Sequence, residues 1–324
     1  MSPAAQSQDQ TQTPAASASF TPFTSATTLI NDDTFLACVP DGLNLEDWPF
    51  PLTSRDCQAI RHYVEDFIPR MVLKAGKWSS YAFLLKVCTK HPLLGHLVLA
   101  FSIRDMAKAD RGELHITAIE HYHQAHAMFI EHLGFSMRQG WMTFPALWLF
   151  IHYEQQYGDD PRVLQRHLKG VRDVIASQGP AILPGSIGGF TTVKSGEEMI
   201  PRSMSDRLAL WTIYHDAHAS TFGYDSGLIQ VLNEKYPGAI MRIKNSSSNS
   251  LREAWGPDYP AEEALWDLQF IPLESLIHES TMLRYELSKI EHQTGTLNVA
   301  DQLRIGQELS RLANVWQVPL KQDL

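Results

Sequence analysis

From Thr53 onward the apolar residues of this chain recur every three or four positions, and no stretch alternates apolar with polar side chains long enough to make a strand. A period near 3.6 places such residues on one face of an α-helix, which confines the chain to folds made by packing helix on helix. Helix punctuation agrees with the period. Thr53 and Asp56 have the spacing of a capping box, and Ile60, Tyr63, Val64, Phe67 and Ile68 follow as one stripe that Pro69 is expected to end. Pro92 opens an almost wholly apolar segment reaching about Met106, which predicts a central, buried helix. Ile119, Tyr122, His126, Phe129, Ile130 and Leu133 share a face over 113–133, and the run PALWLFIHYEQQY ending at Tyr157 is too densely apolar for a surface helix. Asp160 and Pro161 supply a cap and first turn for a helix striped by Leu164, Leu168, Val171 and Ile175, with Gly179 and Pro180 as its stop. Gly170 inside it costs about 1 kcal/mol against Ala, which predicts a second helix crossing closely there.

Beyond a Gly/Pro-rich loop at 179–202, Trp211, Tyr214, His218 and Phe222 mark a further helix, and NSSSNS at 245–250 reads as an exposed loop. Two more stripes close the chain. Leu273, Leu276, Ile277, Leu283, Leu287 and Ile290 form the first; Ile305, Leu309, Leu312 and Trp316 form the second. The expected fold is all-α, an irregular bundle of about eight to ten helices preceded by a disordered N-terminal tail.

Charge divides the chain differently. The first 54 residues contain no Lys or Arg and carry −6 of the net −9, leaving −3 for the other 270. Neither part has the basic excess that phosphate neutralisation needs, so no direct nucleic-acid contact is expected. Residues 1–30 are Ser, Thr, Gln, Ala and Pro with few large apolar side chains, which predicts disorder. Residues 31–52 mix acids with apolar anchors: Asp32, Asp33, Phe35, Leu36, Leu45, Glu46, Trp48 and Phe50. Two readings fit. The segment is either an arm lying on the helical body, with Trp48 and Phe50 tucked in, or a recruitment segment whose aromatics dock into a partner. Residues 53–324 are then one helical domain.

Several chemistries fail on spacing. Only Cys38, Cys57 and Cys88 occur, too few for a disulfide framework, which points to a reducing compartment. No apolar run approaches the roughly 20 residues of a membrane span, and the N-terminus lacks the regions of a secretory signal. His115, His121, His123, His126 and His132 crowd one helix, and Glu120 with His123 has the i, i+3 spacing of di-iron bundles, yet no second such pair exists. The Asp159–Asp160 pair runs into Pro161 and Arg162 rather than into the acidic repeat with which helical terpene cyclases hold magnesium, and Asp160 reads as a cap. GSIGG at 185–189 is neither a dinucleotide nor a P-loop motif. No catalytic, cofactor-binding, metal or DNA-binding residue is assigned, and no cofactor or enzymatic activity is expected.

Four stretches carry a resemblance. HPLLGHLVLAFSIRDMAKAD begins with a His-Pro helix start, and HITAIEHYHQAHAMFIEHL bears Tyr122. ALWLFIHYEQQYGDDPRVLQRHLKGVRDVIASQG joins an apolar helix ending in Tyr153–Glu154, a Gly-Asp turn, and a helix with His167, Leu168 and Gly170. RLALWTIYHDAHASTFGYDSG is centred on Asp216–Ala217. Together they resemble the regulatory, or middle homology, region of fungal zinc-cluster transcription factors over about residues 50–320. The chain departs from that pattern in lacking six closely spaced cysteines, so the family's DNA contact is not carried over.

The resemblance implies a regulator of transcription in the nucleus, controlling a metabolic gene cluster through coactivators or other regulators. It also implies homo- or heterodimerisation and a small-molecule effector. The alternatives are a degenerate or accessory helical scaffold, with cytoplasmic residence, and thirdly a helical enzyme without a recognisable motif. Glu154 and His167, flanking the turn between two helices, are expected to hydrogen-bond helix ends.

Overall fold

α1, Ser54–His62, starts on a complete capping box: Asp56 N donates to Thr53 Oγ1 at 3.2 Å, and Thr53 N donates to Asp56 Oδ2 at 2.8 Å. The computed structural model describes residues 43, 45–72, 76–108, 113–135, 140–178, 200–294 and 298–320. Pro69 does not end the helix where the sequence suggested. The backbone widens into a π-helical turn over Tyr63–Phe67 and continues as α2, Ile68–Met71, with Pro69 in its first turn. There the missing proline N–H is no loss, and the π turn absorbs the change of register.

Ser79 caps α3, Ser80–Cys88, by accepting from Ala82 N at 3.1 Å. α4, Pro92–Met106, is buried along its length except at Pro92, Arg104 and Met106, as its composition foretold. It is the first of two central helices and packs against α1, α3, α5 (Glu113–Phe135) and α6 (Gly140–Tyr157). The second is α8, Arg202–Thr221. Around α8 lie α6, α7 (Pro161–Gln178), α9 (Leu228–Lys235), α10 (Ala239–Ser247), α11 (Ser250–Trp255) and α12 (Ala261–Thr294). α6 touches both centres, and Trp148 and Phe150 on it are almost wholly buried. α13, Val299–Leu320, packs on α12 around a separate small core of Leu283, Ile305 and Leu312.

Among the described residues there is no strand, and with α2 counted as the continuation of α1 there are twelve helices. The fold is all-α. The number exceeds eight to ten because glycines at positive φ, Gly227 (78°), Gly238 (74°) and Gly256 (59°), cut the region after α8 into short helices.

Four local expectations are corrected. NSSSNS is no exposed loop: Asn245–Ser247 ends α10, Ser250 opens α11, and Ser247 and Ser250 are buried against their surroundings. Their small side chains are hydrogen-bonded, Ser247 Oγ donating to Lys244 O at 2.7 Å within its helix and Ser250 Oγ accepting from Arg207 of α8 at 3.0 Å. On α8 the buried face is Met204, Leu208, Thr212, Ile213 and Asp216, whereas His218 and Phe222 are exposed. On α5 the face turned inward runs through Ala118, Ala125 and Phe129, leaving His126 and Ile130 in solvent. No helix crosses at Gly170, where an added Cβ would meet nothing within 4 Å.

The expected tail at 1–30 and the loop at 179–199 lie outside the described residues, as do Asp32, Asp33, Phe35, Leu36 and Cys38.

Candidate functional site

Five clusters of polar and aromatic side chains stand out, and the first receives the acidic segment. Leu45 and Trp48 are buried, Phe50 is half-buried and Glu46 is exposed. The Phe50 ring stacks on the His96 imidazole at 4.0 Å between centroids, with the two planes 2° apart. Gly95 makes this approach possible. A Cβ there would stand 3.2 Å from Phe50 Cε1 and 3.3 Å from Trp48 Cζ2. Beneath the arm, His96 Nδ1 meets His121 Nδ1 at 2.8 Å, and His121 Nε2 meets Asp56 Oδ1 at 3.2 Å. Burial and the neighbouring His121 hold His96 down to about 4, so His96 is neutral at pH 7. Asp56, pushed up by burial, is pulled below its ordinary range by hydrogen bonds from His121 and Thr53. The helix cap and the floor of the arm are thus one network.

The second cluster unites two of the stretches that carry the resemblance. Tyr122 of α5 donates its hydroxyl proton to Glu154 Oε1 of α6 at 2.6 Å, and His167 Nε2 of α7 lies 3.0 Å from the same hydroxyl. With its one proton given to Glu154, the tyrosine oxygen accepts from a neutral His167. Burial, His126 and Arg166 hold His167 down to about 4, while burial raises Glu154 despite the Tyr122 hydrogen bond. Glu154 and His167 therefore meet each other through a tyrosine, not through helix ends as expected. Burial and the bond to Glu154 raise the Tyr122 hydroxyl far above its ordinary value, so the trio pins three helices rather than supplying a nucleophile.

Asp105 and Asp216 are also positioned by structure. Asp105, near the end of α4, is approached by His62 Nε2 at 2.8 Å, Tyr157 Oη at 2.9 Å, Lys108 Nζ at 2.6 Å and Arg70. Asp216 accepts from Ser226 Oγ at 2.6 Å and from the backbone N–H of Ser226 and Ile229 at 3.2 Å. The Asp-Ala pair on α8 thereby fixes the start of α9.

The fifth cluster lines a cavity of about 390 Å³ between α3, α8, α10 and α12. Tyr81, Trp211, Tyr214 and Phe270 give it aromatic walls, and Arg207 and Lys244 bring positive charge to them. Sequence reasoning missed it, because its lining is drawn from positions between Met71 and Ile277 and no short motif spans that range. Its one local signal is Arg207 four residues before Trp211, with the apolar run Leu208–Leu210 between them. The guanidinium lies over the Trp211 ring, 5.4 Å from its centroid.

Among the described residues no three His, Cys, Asp or Glu side chains converge closely enough to hold a metal ion, and no helix is long and apolar enough to cross a membrane. Comparison with family models, with curated proteins and with solved structures finds no match to this chain.

Proposed function

We propose that this chain is a nuclear regulator of transcription, an effector domain of the fungal zinc-cluster type acting through partner proteins without a zinc cluster of its own. The observation that carries the reading is the seat of the acidic segment on the helical body. Trp48 and Phe50 are the residues an acidic recruitment segment would offer to a coactivator, and here they rest on Gly95 and His96. Leu45 and Trp48 are buried in the main core and Phe50 packs against it, so release of the segment has to be driven by a partner that covers the same side chains. A body that holds such a segment restrains it until the segment is released. The meeting of Tyr122, Glu154 and His167 supports the same reading, since residues from two separately placed stretches of the resemblance serve one architectural purpose.

Fusion of the full chain to a foreign DNA-binding domain tests the proposal with a reporter gene. Gly95→Val places side-chain atoms where Trp48 and Phe50 now lie, and is expected to raise reporter output several-fold over the parent fusion. A fusion that stays silent in both forms, with the helical circular-dichroism signal intact, overturns the regulatory reading. In that event a cytoplasmic scaffold is favoured.

A further inference from the structure

The cavity between α3, α8, α10 and α12 is built with an unequal distribution of charge. Glu274 on its wall is already engaged, accepting from Arg207 Nη2 at 3.1 Å. Asp267 accepts from the Tyr259 hydroxyl at 2.5 Å. Lys244 Nζ donates to Ser275 Oγ at 3.1 Å, and no carboxylate among the described residues lies within ion-pair distance of it. An ammonium has three donors, so two remain for whatever occupies the cavity. Ser275 lies eight residues beyond Asp267 on α12, which separates the Lys244 end from Asp267 by about 12 Å at 1.5 Å per residue. Between these ends the walls are aromatic and aliphatic: Trp211, Tyr214, Phe270 and Leu273.

We infer that this cavity is a binding site for an aromatic monocarboxylic acid, with the ring system between Trp211 and Phe270 and the carboxylate at Lys244. Three features select that class. The volume suits a small organic molecule and the walls suit its rings. The Arg207–Glu274 pair cancels the one acidic group close to the Lys244 end. Lys244 then provides a partly desolvated cation, which favours a carboxylate over a neutral group of the same shape. Dicarboxylates and phosphate esters fit less well, because the opposite end carries Asp267. As the effector site of the regulator this assignment rests on the preceding proposal; as a binding site it does not.

Calorimetric titration of the purified full chain with 2-naphthoate and with 2-naphthalenemethanol tests it, the two probes differing mainly in charge. The acid is expected to bind at least tenfold more tightly than the alcohol. Lys244→Met should erase that preference and Lys244→Arg should keep it, while Leu273→Trp fills the cavity and abolishes binding of both. Failure of the folded wild-type chain to bind either probe overturns the inference. Equal affinity for acid and alcohol overturns it as well, and so does a preference that survives Lys244→Met. The titration involves no promoter, so an empty cavity and a silent reporter are separate results.

Discussion

At the scale of one residue, Asp105 shows how a buried charge is kept. Its side chain is 2% exposed, and burial alone would raise its carboxyl, yet hydrogen bonds from His62, Lys108, Arg70 and Tyr157 hold it far below the ordinary carboxylate range. The group ties α1, α2, α4 and α6 together at one point. Asp105→Asn leaves several of those donors without a charged acceptor and is expected to cost on the order of 2–3 kcal/mol at pH 7. Two of the four donors, Arg70 and Lys108, are about half exposed, which keeps the figure at the lower end for a buried charge. The sign of the pH dependence follows from the depressed pKa. The stabilisation is complete above the unfolded value near 3.9 and is lost as pH falls from there towards the lower folded value. Urea denaturation at a series of pH values should therefore show wild type and Asp105→Asn well separated at pH 7 and converging below about pH 4. A gap that stays constant down to pH 3 would show that the charge on Asp105 is not what the four donors recognise.

Among the elements, α7 is the plainest case of local instruction. Asp160 Oδ1 accepts from Arg162 N at 2.9 Å, and Leu168, Val171 and Ile175 are buried along one face. Gly170 sits on its exposed side with open space around it, so nothing in the fold uses the absence of a Cβ. Gly170→Ala should then stabilise the protein by about 1 kcal/mol, seen as a raised melting temperature, through helix propensity alone. A loss of stability would mean that a partner or another part of the chain approaches that glycine. Helices of this kind were legible because cap, stripe and stop all lie within one element: Thr53 with Asp56, Pro92, and Asp160 with Pro161. Pro69 misled because the π turn before it is set by packing of Tyr63 and Phe67 on neighbouring helices. NSSSNS misled because small hydroxyl residues suit a crowded helix junction as well as a loop. On α8 the helix was legible from Trp211, Tyr214 and His218 but its inward face was not, because Asp216 and Thr212 are buried there with their hydrogen bonds, while aromatic Phe222 is left in solvent. For the candidate site the limit is distance along the chain. Tyr122, Glu154 and His167 could each be singled out, but the hydrogen bonds that join them span 32 and 45 residues.

For the molecule as a whole, the uneven sharing of core predicts uneven stability. The main cluster joins α1 through α12, which enters it through Tyr285, and includes nearly all the large buried side chains, whereas among the described residues α13 contributes Ile305 and Leu312 to a satellite formed with Leu283. Leu276, Leu287 and Ile290 cover its edge, while Val299, Leu303 and Leu309 remain exposed. The ion pairs Arg304–Glu286 and Arg311–Glu279 that also hold α13 to α12 are solvent-exposed, and such pairs add little to stability. Removal of apolar area from water scales with the residues buried, so α13 should open at a free energy well below that of global unfolding. Hydrogen exchange is expected to run faster at the amides of α13 than at those of α4 or α8. Ile305→Ala, which truncates one of the two buried residues that α13 gives the satellite, should accelerate exchange in α13 and leave the main unfolding midpoint in place. Leu94→Ala, at a site with no exposed surface, should lower that midpoint through a loss of about 2–5 kcal/mol, the range typical of core truncations. If Ile305→Ala instead shifted the global transition as Leu94→Ala does, the two clusters would be unfolding as one cooperative unit. α13 would then be integral to the body that carries the arm and the cavity, and not a separable attachment to it.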